Sequence, residues 1–377
     1  MKYYIVAGEK SGDLHAANLM KEISRRDPEA HFRCWGGDKM REAGGELVHH
    51  YKETAFMGVM EVIRNLPEII GLLKECKRDA LAYHPDVLIL VDFAAFNLPV
   101  AKFAKKKGLK VFYYISPKVW AWNQRRALKI KKYVDRMFVI MHFEQAFYQK
   151  FDYQVDYVGN PLFDEISTFT PNPNFIEENQ LSDKPIIAVL PGSRRQEVRN
   201  MLSVMLEIVP KFPDYQFIIA GVDSLKVVLY EPAIMQDVKV IFNQTYDLLA
   251  HAQAALVTSG TATLETALFD VPQVVCYKTS PLTYHIAKRL IKVDYISLVN
   301  LIANKEVVKE LIQKELKPKS LEAELTKILN QPQQMHRDYA DMRKKIQTEG
   351  CSQRTAELMM KYLKKDQKEP KIAQKSS

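Results

Sequence analysis

The residues best suited to chemistry lie directly behind short apolar runs. Lys2 to Ala7 reads as a strand, and the residues after it include Glu9, Ser11, Gly12, Asp13 and His15. Loops at the carboxyl ends of parallel strands collect active-site groups, so this cluster is a candidate for acid–base work. The competing reading is that Ser11 or Asp13 caps a helix expected from about Leu14 to Arg26. Val87 to Asp92 reads as another strand, ending in a carboxylate that can serve as general base to a hydroxyl within hydrogen-bond reach.

Two turns in the second half suit anions and sugars. Ile186 to Leu190 is an apolar run of the kind a strand buried on both faces requires, and Pro191 and Gly192 stop it. Ser193 and Gln196 stand at capping-box spacing, and Val198, Met201, Leu202 and Met205 follow at helical intervals, so a helix is expected to begin at or just after Ser193. A helix N-terminus favours phosphate, and Arg194 and Arg195 can add charge-assisted hydrogen bonds. The plainer alternative is surface charge on an ordinary strand-turn-helix start, since the stretch is neither a Walker loop nor GxGxxG. Ala254 to Thr258 is a second such strand, followed by Ser259, Gly260 and Thr261, with Glu265 in the first turns of the next helix. Glu265 is either an acceptor for a ribose diol or a carboxylate favoured by the helix dipole. Phosphate at one strand end and sugar at another is how a doubly wound sheet binds a nucleotide.

The elements that position these groups form two alternating strand-helix series. Further strands are expected at His31–Trp35, Lys110–Ile115, Arg136–Ile140, Val155–Val158, Gln216–Val222, Val238–Phe242 and Gln273–Tyr277. The Pro- and Asn-rich stretch around residues 170–174 separates the two series. The expected division is a first α/β domain over 1–165, a linker over 166–184 and a second α/β domain over 185–345. A terminal helix over 346–363 and a disordered lysine-rich tail over 364–377 follow.

The 377 residues have room for two such domains, and 47% hydrophobic content excludes global disorder. There is no run of eighteen apolar residues and the N-terminus enters a strand at once, so neither a signal peptide nor a spanning helix is expected and the protein reads as cytoplasmic. The four cysteines form no CxxC, the nine histidines no HxxxH, and there is no D-x-D, so no metal and no cofactor is expected.

The net charge of +9 is concentrated, because Phe93 to Val134 holds eleven Lys or Arg and no Asp or Glu. Nucleic acid, an anionic membrane face and a phosphorylated lipid are its candidate partners. Ala55 to Lys77 carries Met57, Met60 and Ile63 among too many apolar groups for one stripe, with Pro67 among them. Two short apolar helices are expected there, forming an interfacial segment, an acyl-chain groove or ordinary packing. Trp120 and Trp122 beside Arg125 and Arg126 suit a membrane interface, base stacking or core. An anionic lipid surface accounts for both the charge and the apolar segment, so nucleic acid is set aside.

Six stretches, VAGEKSGDLH, SPKVWAW, YVGNPL, LPGSRRQEV, SGTATLE and KRLIKVDYISLVNLI, together resemble the lipid-A-disaccharide synthases and occur in that family's order over roughly residues 3 to 312. The resemblance implies an inverting glycosyltransferase of the GT-B fold, with two Rossmann-like domains facing an interdomain cleft. It implies transfer of 2,3-diacylglucosamine from UDP to the 6-hydroxyl of 2,3-diacylglucosamine 1-phosphate (lipid X) without a metal, at the inner face of the inner membrane. A homodimer is allowed for as well. By the same analogy Gly192, Ser193 and Arg194 hold the diphosphate, Ser259, Gly260 and Thr261 lie near it, Glu265 takes the ribose, and Asn300 matches an asparagine of the family's site. Many members carry a second aspartate in a D-x-P-D-F-N pattern, where this chain has Ala95 in Asp92-Phe93-Ala94-Ala95-Phe96-Asn97. If that aspartate is the family's base, another group must serve here, and the order of preference is Asp92, Glu9, Asp13, then His15. The alternatives that keep the fold are a peptidoglycan UDP-N-acetylglucosamine transferase and a UDP-sugar epimerase.

Overall fold

The computed structural model describes residues 1–54, 65–223, 225, 227–290, 293–346 and 349–368. It divides into two compact units, residues 1–164 with 348–377, and residues 165–347. Each unit is built on one parallel sheet with helical crossovers. Parallel strands covered on both faces must be apolar throughout, which is why their sequences run without alternation.

In the first unit the strands are β1 (Lys2–Ala7), β2 (His31–Gly36), β3 (Gly45–His50), β4 (Val87–Val91), β5 (Val111–Tyr114), β6 (Arg136–Val139) and β7 (Asp156–Tyr157), in the order β3-β2-β1-β4-β5-β6-β7. Strand order reverses between β1 and β4, which pair with Ala7 opposite Val91. Such a switch point opens a crevice at the carboxyl ends of the strands. Tyr3, Ile5, Ile89, Val91, Phe112 and Phe138 form the sheet's contribution to the core, covered by Leu19, Met20 and Ile23 of the Lys10–Arg26 helix. The Cys351–Lys368 helix returns to the same core through Ala356, Met359, Met360 and Leu363.

The second unit repeats the plan with β8 (Ile186–Leu190), β9 (Gln216–Gly221), β10 (Lys239–Phe242), β11 (Ala252–Thr258), β12 (Gln273–Tyr277) and β13 (Lys309–Ile312), in the order β10-β9-β8-β11-β12-β13. Its switch point lies between β8 and β11, the two strands whose turns carry the anion and sugar candidates. Residues 166–184, expected as a linker, fall within this unit, and Phe175 is buried in its core beside Ile186, Ala188 and Leu248.

Several expectations shift. The first helix starts at Lys10, so Ser11, Gly12, Asp13 and His15 are helical and Glu9 is its N-cap. Gly12 packs on β1 there, where a Cβ would meet that of Ala7 at ordinary contact distance, 3.4 Å. The later helix runs Arg195–Leu206 with Arg194 as N-cap, so its capping carboxylate comes from Glu197 and the Ser193/Gln196 spacing is not used. In the apolar stretch a helix spans Leu66–Tyr83, while Met57, Met60 and Ile63 lie outside the described residues. The tail expected to be disordered begins within the last helix, and its residues 369–377 also lie outside them.

Candidate functional site

At the switch point of the first sheet, Asp92 follows β4 and Glu9 follows β1. Asp92 and Phe93 both hold left-handed backbone, with φ of 45° and 47°, and Ile115 after β5 does so at 64°. Non-glycine residues avoid this region, and a β-branched one most of all, so these strand ends are held by their surroundings. Asn97 supplies much of that hold, donating from Nδ2 to the Asp92 carbonyl at 2.8 Å and the Val91 carbonyl at 3.2 Å. The Tyr113 hydroxyl donates to the same Asp92 carbonyl. The Phe93 ring lies over Gly8, where a Cβ would come within 2.1 Å of it, so only glycine fits there. Burial pushes the Asp92 carboxyl up to about 6, with the Glu9 charge adding to the rise and Lys118 and the Phe93 N–H opposing it. A carboxylate so tuned is ionised at neutral pH yet basic enough to take a proton. The next residue, Phe93, lines a small hollow together with Gly8, Trp35, Gly36, His49 and Tyr51.

At the switch point of the second sheet, Gly192 takes φ 109° and turns the chain into the Arg195–Leu206 helix. Glu197 accepts from the Ser193 N–H at 3.1 Å and the Arg194 N–H at 3.2 Å, and its other oxygen pairs with the Arg194 guanidinium at 3.1 Å. Glu197 thus closes a capping box on the chain's own N–H groups, while the Arg194 side chain stays 60% exposed and within reach of an external anion. Across the crevice, Gly260 is extended and caps the Thr261–Leu268 helix, and a Cβ on it would meet no described atom within 4 Å. Ser259 donates to the Ile296 carbonyl at 3.0 Å, which fixes the turn. Glu265 sits one turn in. Burial and the neighbouring Glu165 push its carboxyl up to about 7, against a 3.4 Å bond from the Tyr246 hydroxyl.

Several other candidates make structural hydrogen bonds or are buried. Asp13 is buried and accepts from the N–H groups of Gly37 (2.7 Å), Lys39 and Met40 (both 3.1 Å), so it pins β2's turn. His15 is driven down to about 4 by burial and stays neutral. Asn300 is fully buried: its oxygen accepts from Val307 N (2.7 Å) and Val308 N (2.9 Å), and its amide donates to the Val308 carbonyl (2.8 Å) and Glu310 (2.9 Å). Both its donors and its acceptor are thus filled within the second unit. Trp120, 7% exposed, packs edge-on to Phe143 and leaves the membrane-facing set, whereas Trp122 stays 42% exposed under the Arg126 guanidinium. Ser11 is exposed on the first helix and Arg125 beside Trp122. Glu165, Tyr246 and Glu310 went unseen in the sequence because their partners lie beyond any helical or turn spacing, the Tyr246–Glu265 pair 19 residues apart and the Asn300–Glu310 pair 10.

A family model described as lipid-A-disaccharide synthetase matches residues 3–363 of this chain. The chain belongs to that family. Lipid-A-disaccharide synthases of Geobacter metallireducens and Syntrophus aciditrophicus are 40% and 39% identical over 96% of this chain and 97% of each relative. The Coxiella burnetii synthase is 38% identical over 86% of this chain and 88% of its own. Among solved structures, a UDP-GlcNAc 2-epimerase of Neisseria meningitidis bound to UDP-GlcNAc superposes with a TM-score of 0.67 at 13% identity, covering 96% of this chain and 100% of that one. A calicheamicin glycosyltransferase does so with 0.62 at 16%, covering 97% and 98%. These likenesses give the fold, two Rossmann-like units of the GT-B class. The lipid-A-disaccharide synthetase family makes the chain a glycosyltransferase of lipid A biosynthesis, and the epimerase and peptidoglycan readings fall away.

Proposed function

We propose that the protein condenses UDP-2,3-diacylglucosamine with lipid X to give the β(1→6) disaccharide 1-phosphate and UDP. The observation that carries the reading is the pair of turns at the second sheet's switch point, the loop after β8 with its exposed Arg194 and the Gly260 helix start with Glu265 after β11. In this reading the Gly192–Ser193 backbone and Arg194 take the diphosphate, Ser259, Gly260 and Thr261 lie against it, and Glu265 accepts from the ribose. The O6–C1 bond forms as the C1–oxygen bond to UDP breaks. Arg194 neutralises charge on the departing diphosphate, and Asp92 takes the acceptor's proton. The charges of Glu9 and Lys118 act on the Asp92 carboxyl in opposite senses.

The test is product formation from the two lipids in detergent micelles with EDTA present, read by mass spectrometry. A disaccharide 1-phosphate with equimolar UDP is expected. UDP binding without product redirects the site to another acceptor, and no UDP binding removes the nucleotide site.

The acceptor is lipid, and we assign the protein a peripheral place on the anionic inner face of the inner membrane. Among the described residues no helix is long and apolar enough to cross a membrane. The Leu66–Tyr83 and Arg126–Tyr133 helices both pack on the Ala94–Lys106 helix, and around them Leu66, Ile70, Trp122 and Leu128 are exposed at 49%, 44%, 42% and 54%. Arg125, Lys129 and Lys132 are exposed on the same segment as Trp122 and Leu128. Apolar side chains set among cations suit an anionic lipid surface, with each cation near it contributing about 1 kcal/mol. Replacing Trp122 and Leu128 by serine is expected to weaken binding to anionic vesicles about tenfold or more in flotation assays. Unchanged binding sinks this assignment.

A further inference from the structure

Around Glu265 the structure gathers groups that the nucleotide reading leaves unused. Tyr246, on the Thr245–His251 helix, donates to Glu265 at 3.4 Å, and its hydroxyl is also within hydrogen-bonding reach of Glu165, on the Pro161–Ser167 helix. The Tyr246 ring is fixed among Phe169, at a centroid distance of 5.4 Å, and Phe269, at 5.2 Å. One phenolic proton thus faces two half-buried carboxylates, and it satisfies only one of them fully at a time.

We propose that Glu165 is a positioning residue for the nucleotide's ribose: through the shared Tyr246 hydroxyl and its own charge, it sets when Glu265 is a carboxylate able to accept from the diol. The proposal rests on the reading of Glu265 as the ribose contact. Burial and the Glu165 charge raise Glu265 to about 7, and the Tyr246 bond works the other way. Glu165 is itself raised by burial, again opposed by Tyr246. Charges on the elements packed nearby are engaged elsewhere. On the Gln333–Ile346 helix, Arg343 and His336 pair with Asp270, and on the Thr245–His251 helix Asp247 accepts from Asn172 while the His251 ring bonds to the Asp247 carbonyl. No cation is among the groups that set Glu265.

A ribose diol donates two O–H groups, and the ionised carboxylate is the form that accepts both. Binding therefore strengthens with rising pH until Glu265 is ionised, then levels off. Below the midpoint, affinity falls about tenfold per pH unit, because each bound ligand must displace one proton. Removing the Glu165 charge moves the midpoint to lower pH. Removing the Tyr246 hydroxyl moves it to higher pH.

The experiment is calorimetric titration of the full chain with UDP-N-acetylglucosamine from about pH 5.5 to about pH 8.5, a probe whose diphosphate is a diester that does not titrate in that window. Wild type, Glu165→Gln, Tyr246→Phe and Glu265→Gln are compared, with thermal melting as the check on folding. Opposite displacements of the midpoint for Glu165→Gln and Tyr246→Phe support the proposal. Should one of the two fail to fold, the direction of the other decides. Profiles that superimpose on wild type overturn it while leaving the ribose contact standing, provided Glu265→Gln has lost affinity. Undiminished affinity in Glu265→Gln at the alkaline end overturns both.

Discussion

At the scale of single residues, the departure at position 95 matters most, because it leaves Asp92 as the acid at the carboxyl end of β4. Asp92→Asn is expected to cut transfer by about 10²–10⁴-fold, the usual worth of a general base. The wild-type kcat/KM should fall about tenfold per pH unit below about 6, since a base must be ionised and burial has raised this one to about 6. A variant with that profile intact, or with full activity, transfers the role to Glu9. Arg194 makes a separate case. It is 60% exposed and its ion pair with Glu197 lies at the surface, so Arg194→Ala should leave the melting temperature almost unchanged. Its loss should lower kcat by about 10²–10³-fold, as when one donor to a developing anion is removed. Steady-state kinetics with a parallel melt separates the two effects, and an active variant removes Arg194 from the mechanism.

At the scale of elements, what could be read from sequence follows burial. β1, β4, β8 and β11 are legible because strands covered on both faces must be continuously apolar. β3, Gly45–His50, and β13, Lys309–Ile312, escaped notice because they are edge strands of mixed polarity, and β13 buries Glu310 for its hydrogen bonds to Ile296 N, Ser297 N and Asn300. The start of the first helix was hidden for a similar reason, since Ser11-Gly12-Asp13 has the composition of a loop and the partners of the Asp13 carboxylate lie beyond β2, at Gly37, Lys39 and Met40. Asn300 shows how a polar residue in a motif stretch belongs to an element before it belongs to a substrate. Asn300→Ala leaves Glu310 and the N–H groups of Val307 and Val308 short of partners, so it should lower the unfolding free energy by about 2–4 kcal/mol in urea. Transfer per folded molecule should survive. Normal stability with lost transfer would instead give Asn300 the substrate role that the resemblance implies.

At the scale of the whole molecule, the chain does not finish where its second sheet ends. It leaves the second unit near residue 347 and closes the first, so the unit that carries Asp92 is complete only after residue 351. The junction is specific. Gly350 N donates to Asp164 at 2.6 Å, Cys351 Sγ reaches the Gly159 carbonyl at 3.2 Å, and Arg354 donates to the Val158 carbonyl at 2.7 Å. Further along, Met360 Sδ receives the Tyr3 hydroxyl at 3.2 Å, Tyr362 donates to Asp156 at 3.0 Å, and Arg136 stacks on the Tyr362 ring at 4.0 Å. Met359, Met360 and Leu363 are buried against the first helix and sheet, and each such side chain stabilises by about 1.5–3 kcal/mol. Their sum is comparable with the stability of an ordinary domain, about 5–15 kcal/mol. Ending the chain after Gly350 should therefore unfold the first unit and spare the second. In hydrogen exchange, amides of β1, β4 and β5 should lose protection while those of β8, β9 and β11 keep it, and transfer should vanish although UDP still binds. Retained protection in β1 and β4 would mean that the first sheet and its own crossovers suffice, and that the returning helix is an addition to a core already stable without it.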